Sequence, residues 1–155
     1  MTPAPSPSRV DETLARLLPP VERGVARVLP LPLAHALTEF LVFGIKQAWA
    51  CLFGGLLLAG LIATSLWWPA DAQIARYDVL VVYALAIQIT LLATRMERPR
   101  EALVILVFHL VGTLMEVFKT EAGSWTYPEA SVLRIGAVPL YSGFMYAAVG
   151  SYLAR

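Results

Sequence analysis

Four apolar stretches, each close to the length of a membrane-crossing helix, constrain what this chain can fold into. They cover residues 48–67, 78–94, 101–118 and 139–155. A stretch of about 20 residues spans roughly 30 Å at about 1.5 Å per residue, which is the thickness of the bilayer's hydrocarbon core. Hydrophobic residues make up 58% of the chain and charged residues 15%, so it is more apolar than an ordinary soluble domain. The sequence therefore predicts an all-α, polytopic transmembrane bundle of four helices.

The chain before the first span is a Pro-rich N-terminal segment, predicted over residues 1–36. Proline pairs divide it into two pieces, 10–18 and 21–29, in which arginines alternate with leucines and valines. Each piece is expected to form two amphipathic turns on an anionic membrane surface, and a disordered segment is the alternative. The transmembrane domain is predicted over 37–155, and its first helix is expected to run unbroken from Leu37 to Trp68.

The distribution of Lys and Arg predicts the orientation of the chain in the membrane. The flank through Lys46 carries five of them and the loop between the second and third spans carries three, whereas the other two loops carry one and two. Cytoplasmic loops are the positively charged ones. We therefore predict a multi-pass protein of the inner (plasma) membrane with a cytoplasmic N-terminus, and the loop over 123–139 on the outer side.

The small net charge and the scarcity of Cys and His residues exclude several classes of function. A net charge of +1 does not predict a nucleic-acid surface. Cys51 is the single cysteine, and the two histidines, His35 and His109, are far apart in sequence, so no metal-site spacing is present. Neither a metal nor another cofactor is expected.

A polar stripe crosses the third apolar stretch. Its members, at helical spacing on one face, are His109, Thr113, Glu116 and Thr120. Gln88 on the second span is expected at the depth of His109 and within hydrogen-bonding reach of it. On a structural interpretation, His109 and Gln88 join helices and Glu116 pairs with Lys119. On a functional interpretation, Glu116, assisted by His109, donates or accepts a proton in an apolar pocket.

The loop after the third span is expected to fold over Glu116 as a lid. Gly123 permits a tight turn and Pro128 holds Tyr127 extended. Trp125 and Tyr127 are either interface anchors or part of this lid, and the start of the fourth helix, with Tyr141, Ser142 and Tyr146, would form the opposite wall. The predicted substrate-binding residues are Lys119, Trp125, Tyr127, Tyr141, Tyr146 and Gln88.

With these residues identified, the chain resembles the YoaT-like family of bacterial integral membrane proteins of unknown function. The resemblance covers residues 39–152 and rests on FGIKQAWAC at 43–51, MEVFK at 115–119, GSWTYPE at 123–129 and RIGAVPLYSGFMY at 134–146. Members of that family are longer, with a second membrane half. The resemblance therefore implies that this chain corresponds to a first half, whose partner in the bilayer would be a second half or a second copy of the chain.

A weaker likeness, in pattern only, is to membrane carotenoid enzymes, the heterodimeric lycopene cyclases and bacterioruberin-type hydratases. It implies acid–base chemistry on an isoprenoid double bond, with Glu116 as the acid and aromatic rings stabilising a carbocation. The function predicted is thus a metal-free acid–base enzyme acting on an isoprenoid or other lipid. The alternatives are half of a transporter or proton-coupled carrier, which Gln88, His109 and Glu116 would suit, and a non-catalytic membrane assembly subunit.

Overall fold

The computed structural model describes residues 9–69 and 71–155, and the side chains of residues 12–69 and 71–155. The part of the predicted N-terminal segment at residues 1–8 lies outside the described residues. The described chain is helical apart from its connections and one two-residue ribbon, which confirms the all-α class. Its elements are α1 (Arg9–Val25), α2 (Leu31–Ala50), α3 (Leu52–Trp67), α4 (Arg76–Ala93), α5 (Pro99–Glu121), β1 (Arg134–Ile135), β2 (Val138–Pro139) and α6 (Tyr141–Ala154).

The chain divides into two compact units, Met1–Trp49 and Ala50–Arg155. In the first unit, α1 continues through Pro19 and Pro20 instead of separating into the two expected pieces. Each of these prolines removes one backbone donor from the helix. Arg23 Nε donates to the carbonyl of Pro19, one turn earlier in the same helix, at 3.0 Å.

The prediction of one unbroken helix from Leu37 to Trp68 is wrong. The helical segment begins earlier, at Leu31, and is interrupted at Cys51, where α2 ends at Ala50 and α3 begins at Leu52. Gly54 and Gly55 follow within the first turn of α3, and glycine is a poor helix former because it loses most backbone freedom on ordering. A local weakness in helix propensity thus coincides with the break.

Length and composition make α4 and α5 able to cross a membrane, and α2 with α3 would add a third crossing if the interrupted pair counts as one span. The fourth predicted span is shorter than expected, because β2 occupies Val138 and Pro139 and α6 has 14 residues. That the chain crosses the membrane four times is therefore still a prediction.

In the second unit, α6 packs lengthwise on α5 and also contacts α3 and α4. Glycines allow α5 and α6 to approach closely: a Cβ atom on Gly143 would lie 2.8 Å from His109 Nδ1, and one on Gly150 would lie 2.8 Å from Phe108 Cβ. Ala147 and Ser151, on the same stripe of α6, are fully buried. This stripe of small residues therefore fixes how α6 lies against α5, and so where the α6 side chains meet Glu116.

Candidate functional site

Glu116 is a buried carboxylate with three donors around it. It lies in the next-to-last turn of α5 and is 4% exposed. Oε1 accepts hydrogen bonds from Lys119 Nζ at 2.7 Å and Tyr146 Oη at 2.6 Å, and Oε2 accepts one from Tyr127 Oη at 2.6 Å. Hydrogen bonds to an ionised acceptor are short and about twice as strong as neutral ones. The arrangement therefore stabilises the charged carboxylate.

Lys119 forms the solvent-side edge of the site. It is one helical turn after Glu116, and its side chain is 39% exposed. Its Nζ also lies 5.9 Å from the centre of the Trp125 ring, within the range of a cation–π contact. Lys119 thus compensates the charge of Glu116, and the Trp125 ring in the loop contacts the Lys119 ammonium group.

Tyr127 reaches Glu116 from the loop that follows α5. Its ring has edge-on contacts with Trp125 (centroids 6.4 Å apart) and with Tyr77 (6.1 Å apart). Burial of the phenol, followed in effect by its hydrogen bond to the Glu116 carboxylate, raises the pKa of Tyr127 above its usual value. Tyr127 therefore remains a protonated donor.

Tyr146 reaches the same carboxylate from α6 because Gly112 of α5 leaves room for its ring. A Cβ atom at position 112 would lie 2.6 Å from Tyr146 Cδ2, closer than van der Waals contact permits. Gly112 is four residues before Glu116, on the same face of the helix. Tyr146 therefore packs on the face of α5 that carries Gly112 and Glu116.

Three consecutive residues at the start of α4 hold the loop in place. Arg76 pairs with Glu129 through two hydrogen bonds of 2.8 and 2.6 Å, and Tyr77 contacts the Tyr127 ring. The buried Asp78 carboxylate accepts the backbone N–H groups of Val132 and Leu133, with shortest distances of 2.8 Å to each. We call Arg76, Tyr77 and Asp78 the loop clamp.

A cavity of about 470 Å³ opens beside the carboxylate. Aromatic and aliphatic side chains cover most of its wall, and the hydrogen-bonded Glu116, Lys119, Tyr127 and Tyr146 supply polar groups. Its lining comprises Leu61, Tyr77, Glu116, Lys119, Trp125, Tyr127, Pro139, Tyr141, Ser142, Met145, Tyr146 and Val149. This volume lies within the range of small-molecule sites.

Most of the residues predicted for the site line this cavity, namely Glu116, Lys119, Trp125, Tyr127, Tyr141 and Tyr146. Tyr141 contributes its ring to the cavity lining, because its hydroxyl donates to the carbonyl of Leu57 at 3.1 Å. The loop contacts Glu116 through the Tyr127 hydroxyl, and Gly123 has a positive φ of 71° in its first turn.

Gln88 and His109 lie away from the cavity lining. Gln88 Nε2 donates to Glu97, whose other oxygen pairs with Arg155 Nη2 at 2.9 Å. His109 packs against Phe144, with ring centres 4.3 Å apart. The prediction of a Gln88–His109 hydrogen bond is wrong. Among the described residues, Gln88 Oε1 and His109 Nδ1 are buried without a hydrogen-bond partner.

The loop clamp and the buried Glu97–Arg155 pair were not predicted from the sequence. One signal was present, since Arg76 and Asp78 adjoin Tyr77 where an apolar helix begins, and charged residues at such a position need partners. Among the described residues, no group of three or more His, Cys, Asp or Glu side chains is arranged to hold a metal ion. The donors present favour proton transfer and binding of a polar group in a mostly apolar cavity.

Comparisons with known proteins confirm the resemblance drawn from the sequence. Residues 39–155 match a family described as "Protein of unknown function (DUF817)". The chain is 41% identical over 121 residues to the uncharacterized protein YoaT of Bacillus subtilis (strain 168), an alignment covering 78% of this chain and 45% of YoaT. The chain thus spans less than half the length of this relative. No solved structure matches it.

Proposed function

The chain belongs to the DUF817 family of proteins of unknown function, and we propose that it is a membrane protein that binds an isoprenoid or other lipid in the Glu116 cavity and transfers a proton to or from it. The observation that carries this proposal is the pair of phenols, Tyr127 and Tyr146, each 2.6 Å from a different oxygen of one buried carboxylate.

Insertion into the membrane is the first part of the proposal. The outward face of α5 is apolar along its length, with Leu110, Leu114 and Phe118 each more than half exposed. An exposed apolar face of this extent suits contact with lipid chains rather than with water. We place the protein in the inner (plasma) membrane with four crossings and a cytoplasmic N-terminus, which leaves the Glu116 end of α5 at the outer side.

The lining of the cavity indicates the class of ligand. Leu61, Met145 and Val149 are aliphatic, and Trp125, Tyr77 and Tyr127 offer aromatic faces. Lys119 and the hydroxyls of Tyr127 and Tyr146 meet at the Glu116 carboxylate. A ligand that fits this distribution has a hydrocarbon body and one polar or unsaturated end. Isoprenoids and other lipids belong to this class, and aromatic faces would also stabilise positive charge developing on an isoprenoid.

The hydrogen bonds define the proton chemistry. Because Glu116 is held as a carboxylate, it begins as the proton acceptor, and Tyr127 and Tyr146 begin as donors. Delivery of a proton from Tyr127 or Tyr146 to one carbon of a double bond, and removal of a proton from a neighbouring carbon by Glu116, would move the double bond. The proton on Glu116 would then return to the phenol through their hydrogen bond. Such a rearrangement consumes no oxidant, reductant or metal.

The proposal is tested by the lipid composition of cells that express the chain. Wild type is expected to change the isoprenoid or lipid profile, and Glu116→Gln is expected to abolish the change. Glu121→Gln, which alters an exposed carboxylate at the end of the same helix, is the matched control. If wild type changes the profile and Glu116→Gln changes it equally, proton transfer by Glu116 is refuted.

A non-catalytic assembly role is the second candidate, and one observation favours it. Both oxygens of Glu116 are already engaged by donors from this chain, as expected of a structural cluster. For such a subunit, Glu116→Gln would lower the thermal stability of the purified protein and reduce co-purification of a membrane partner, with no effect on lipid composition.

A further inference from the structure

The cavity beside Glu116 opens sideways along α6. Met145 and Val149 of this helix line the cavity, and the two residues are 53% and 51% exposed. Tyr141 and Ser142, at the start of the same helix, also line the cavity but are buried. Exposure therefore begins one turn into α6. Because Met145 and Val149 are one helical turn apart, the opening follows the helix.

The exposed apolar surface continues along α6 beyond the cavity. Leu153 follows Val149 by four residues, on the same face of the helix, and is 64% exposed. From Met145 to Leu153 the helix rises by about 12 Å, at about 1.5 Å per residue. One leaflet of the bilayer has a hydrocarbon thickness of roughly 15 Å, so the two lengths are similar. We call Met145, Val149 and Leu153 the α6 track.

The side chains of the α6 track suit a flexible hydrocarbon chain better than another helix. Helices that pack together in membranes use small residues, which let their backbones approach closely. On α6 these residues are directed at α5, since Gly143 and Gly150 lie against α5 side chains and Ala147 is fully buried. The outward track has larger side chains, and methionine adapts its shape to an irregular neighbour.

The loop after α5 obstructs the other approach to Glu116. The Tyr127 hydroxyl is bonded to the carboxylate, and the loop is held by two hydrogen bonds between Arg76 and Glu129 and by the Asp78 carboxylate. A ligand that enters past the loop has to break these contacts. A ligand that enters over α6 has to displace mainly exposed apolar side chains. The contacts therefore favour entry from the bilayer.

We propose that the ligand of the Glu116 cavity is a long-chain isoprenoid that enters sideways from the bilayer, with one end beside Glu116 and its tail along the α6 track. The site then recognises the end of the ligand and accepts tails of different lengths. This inference rests on the proposed function, because it requires membrane insertion and a lipid ligand. It does not require proton transfer.

Photolabelling of the full chain in phosphatidylcholine vesicles tests where the tail lies. The probe is a geranylgeraniol analogue with a diazirine at the far end of its tail, and mass spectrometry locates the labelled residues. Wild type is expected to be labelled within 145–153 of α6, and excess unlabelled geranylgeraniol is expected to remove this labelling. Labelling spread evenly over the outward faces of α4, α5 and α6, or labelling that geranylgeraniol does not reduce, would overturn the inference.

Val149→Trp fills the opening and is expected to reduce the competable labelling roughly tenfold, which corresponds to the lost burial of about two methylene groups. Val82→Trp is the matched control, because Val82 is 61% exposed and lies at a similar distance from the start of α4. It is expected to label as wild type does. Equal labelling of the two variants would contradict the track, as would cross-links showing that a second copy of the chain covers it.

The outcomes separate this inference from the proposed function. Competable labelling at α6, without a change in the lipid profile of expressing cells, would leave the track in place and refute the proton chemistry. Competable labelling that excludes 145–153 would refute the track and leave a lipid ligand in place. The complete absence of competable labelling in wild type would overturn the isoprenoid ligand and the track together.

Discussion

The phenol oxygen of Tyr127, in the loop after α5, lies 2.6 Å from Oε2 of Glu116, which is buried inside the helix bundle. This contact joins a loop to the interior of the bundle. Trp125 and Tyr77 flank the Tyr127 ring, and the loop clamp holds the loop against the start of α4. The loop is thus part of the site and not merely a connection.

Tyr127→Phe is expected to destabilise the protein by roughly 1.5–3 kcal/mol, because a buried carboxylate loses a charge-assisted hydrogen bond. Thermal or denaturant unfolding in detergent measures this change. A double-mutant cycle with Glu116→Gln isolates the contact, since the two effects are coupled if the residues interact. Additive effects of the two substitutions would contradict the hydrogen bond.

Gly112→Ala is expected to displace the Tyr146 ring from Glu116 and to cost about 1–3 kcal/mol of stability, as overpacking of a tight contact does. Gly55→Ala is the matched control, because a methyl group there meets no neighbour within 4 Å. That control is expected to be neutral or stabilising, since alanine is the better helix former. Equal destabilisation by both substitutions, measured by thermal unfolding, would show that the contact with Tyr146 is not the cause.

Asp78→Asn is expected to loosen the loop, because an amide has one acceptor oxygen where the carboxylate receives two backbone N–H groups. Hydrogen–deuterium exchange should become faster at Val132 and Leu133 and in the segment that carries Tyr127. Asp71→Asn, at an exposed position before α4, is the control and should leave exchange unchanged. Unchanged protection of Val132 and Leu133 in Asp78→Asn would contradict the clamp.

The pH dependence of stability follows from the raised pKa of Tyr127. The folded protein keeps this phenol neutral, so its contribution is complete below the usual tyrosine pKa of about 10. It is lost as pH rises above that value, because the unfolded chain then releases a proton that the folded chain retains. Stability measured against pH should therefore fall above about pH 10, and less steeply in Tyr127→Phe. If stability falls equally steeply with pH in wild type and in Tyr127→Phe, the raised pKa of Tyr127 is refuted.

Sequence periodicity predicted the parts of the site that are close along the chain. Glu116 and Lys119 fall on one face of a helix, and Gly123 turns the chain back towards them, so local spacing was sufficient. Arg76 and Glu129 are 53 residues apart and meet only through the packing of α4 against the loop. Local patterns carry no information about such a pair, which explains why the loop clamp was missed.

The error at Gln88 has a different physical cause. Its predicted partner was chosen by depth along two straight helices, which placed His109 opposite it. The tight turn at Arg95 instead folds Glu97 back to within reach of Gln88, nine residues earlier in the chain. A buried carboxylate is the stronger acceptor, so the amide donates to it and not to the imidazole.

Mass spectrometry of the lipids that co-purify with the chain tests most directly whether the Glu116 cavity is a lipid site. Wild type and Glu121→Gln are expected to carry one isoprenoid or other lipid enriched over the surrounding membrane, and Glu116→Gln and Tyr127→Phe are expected to lose that enrichment. If all four proteins carry the same lipids in the proportions of the bulk membrane, the cavity is not a lipid site and the account is wrong.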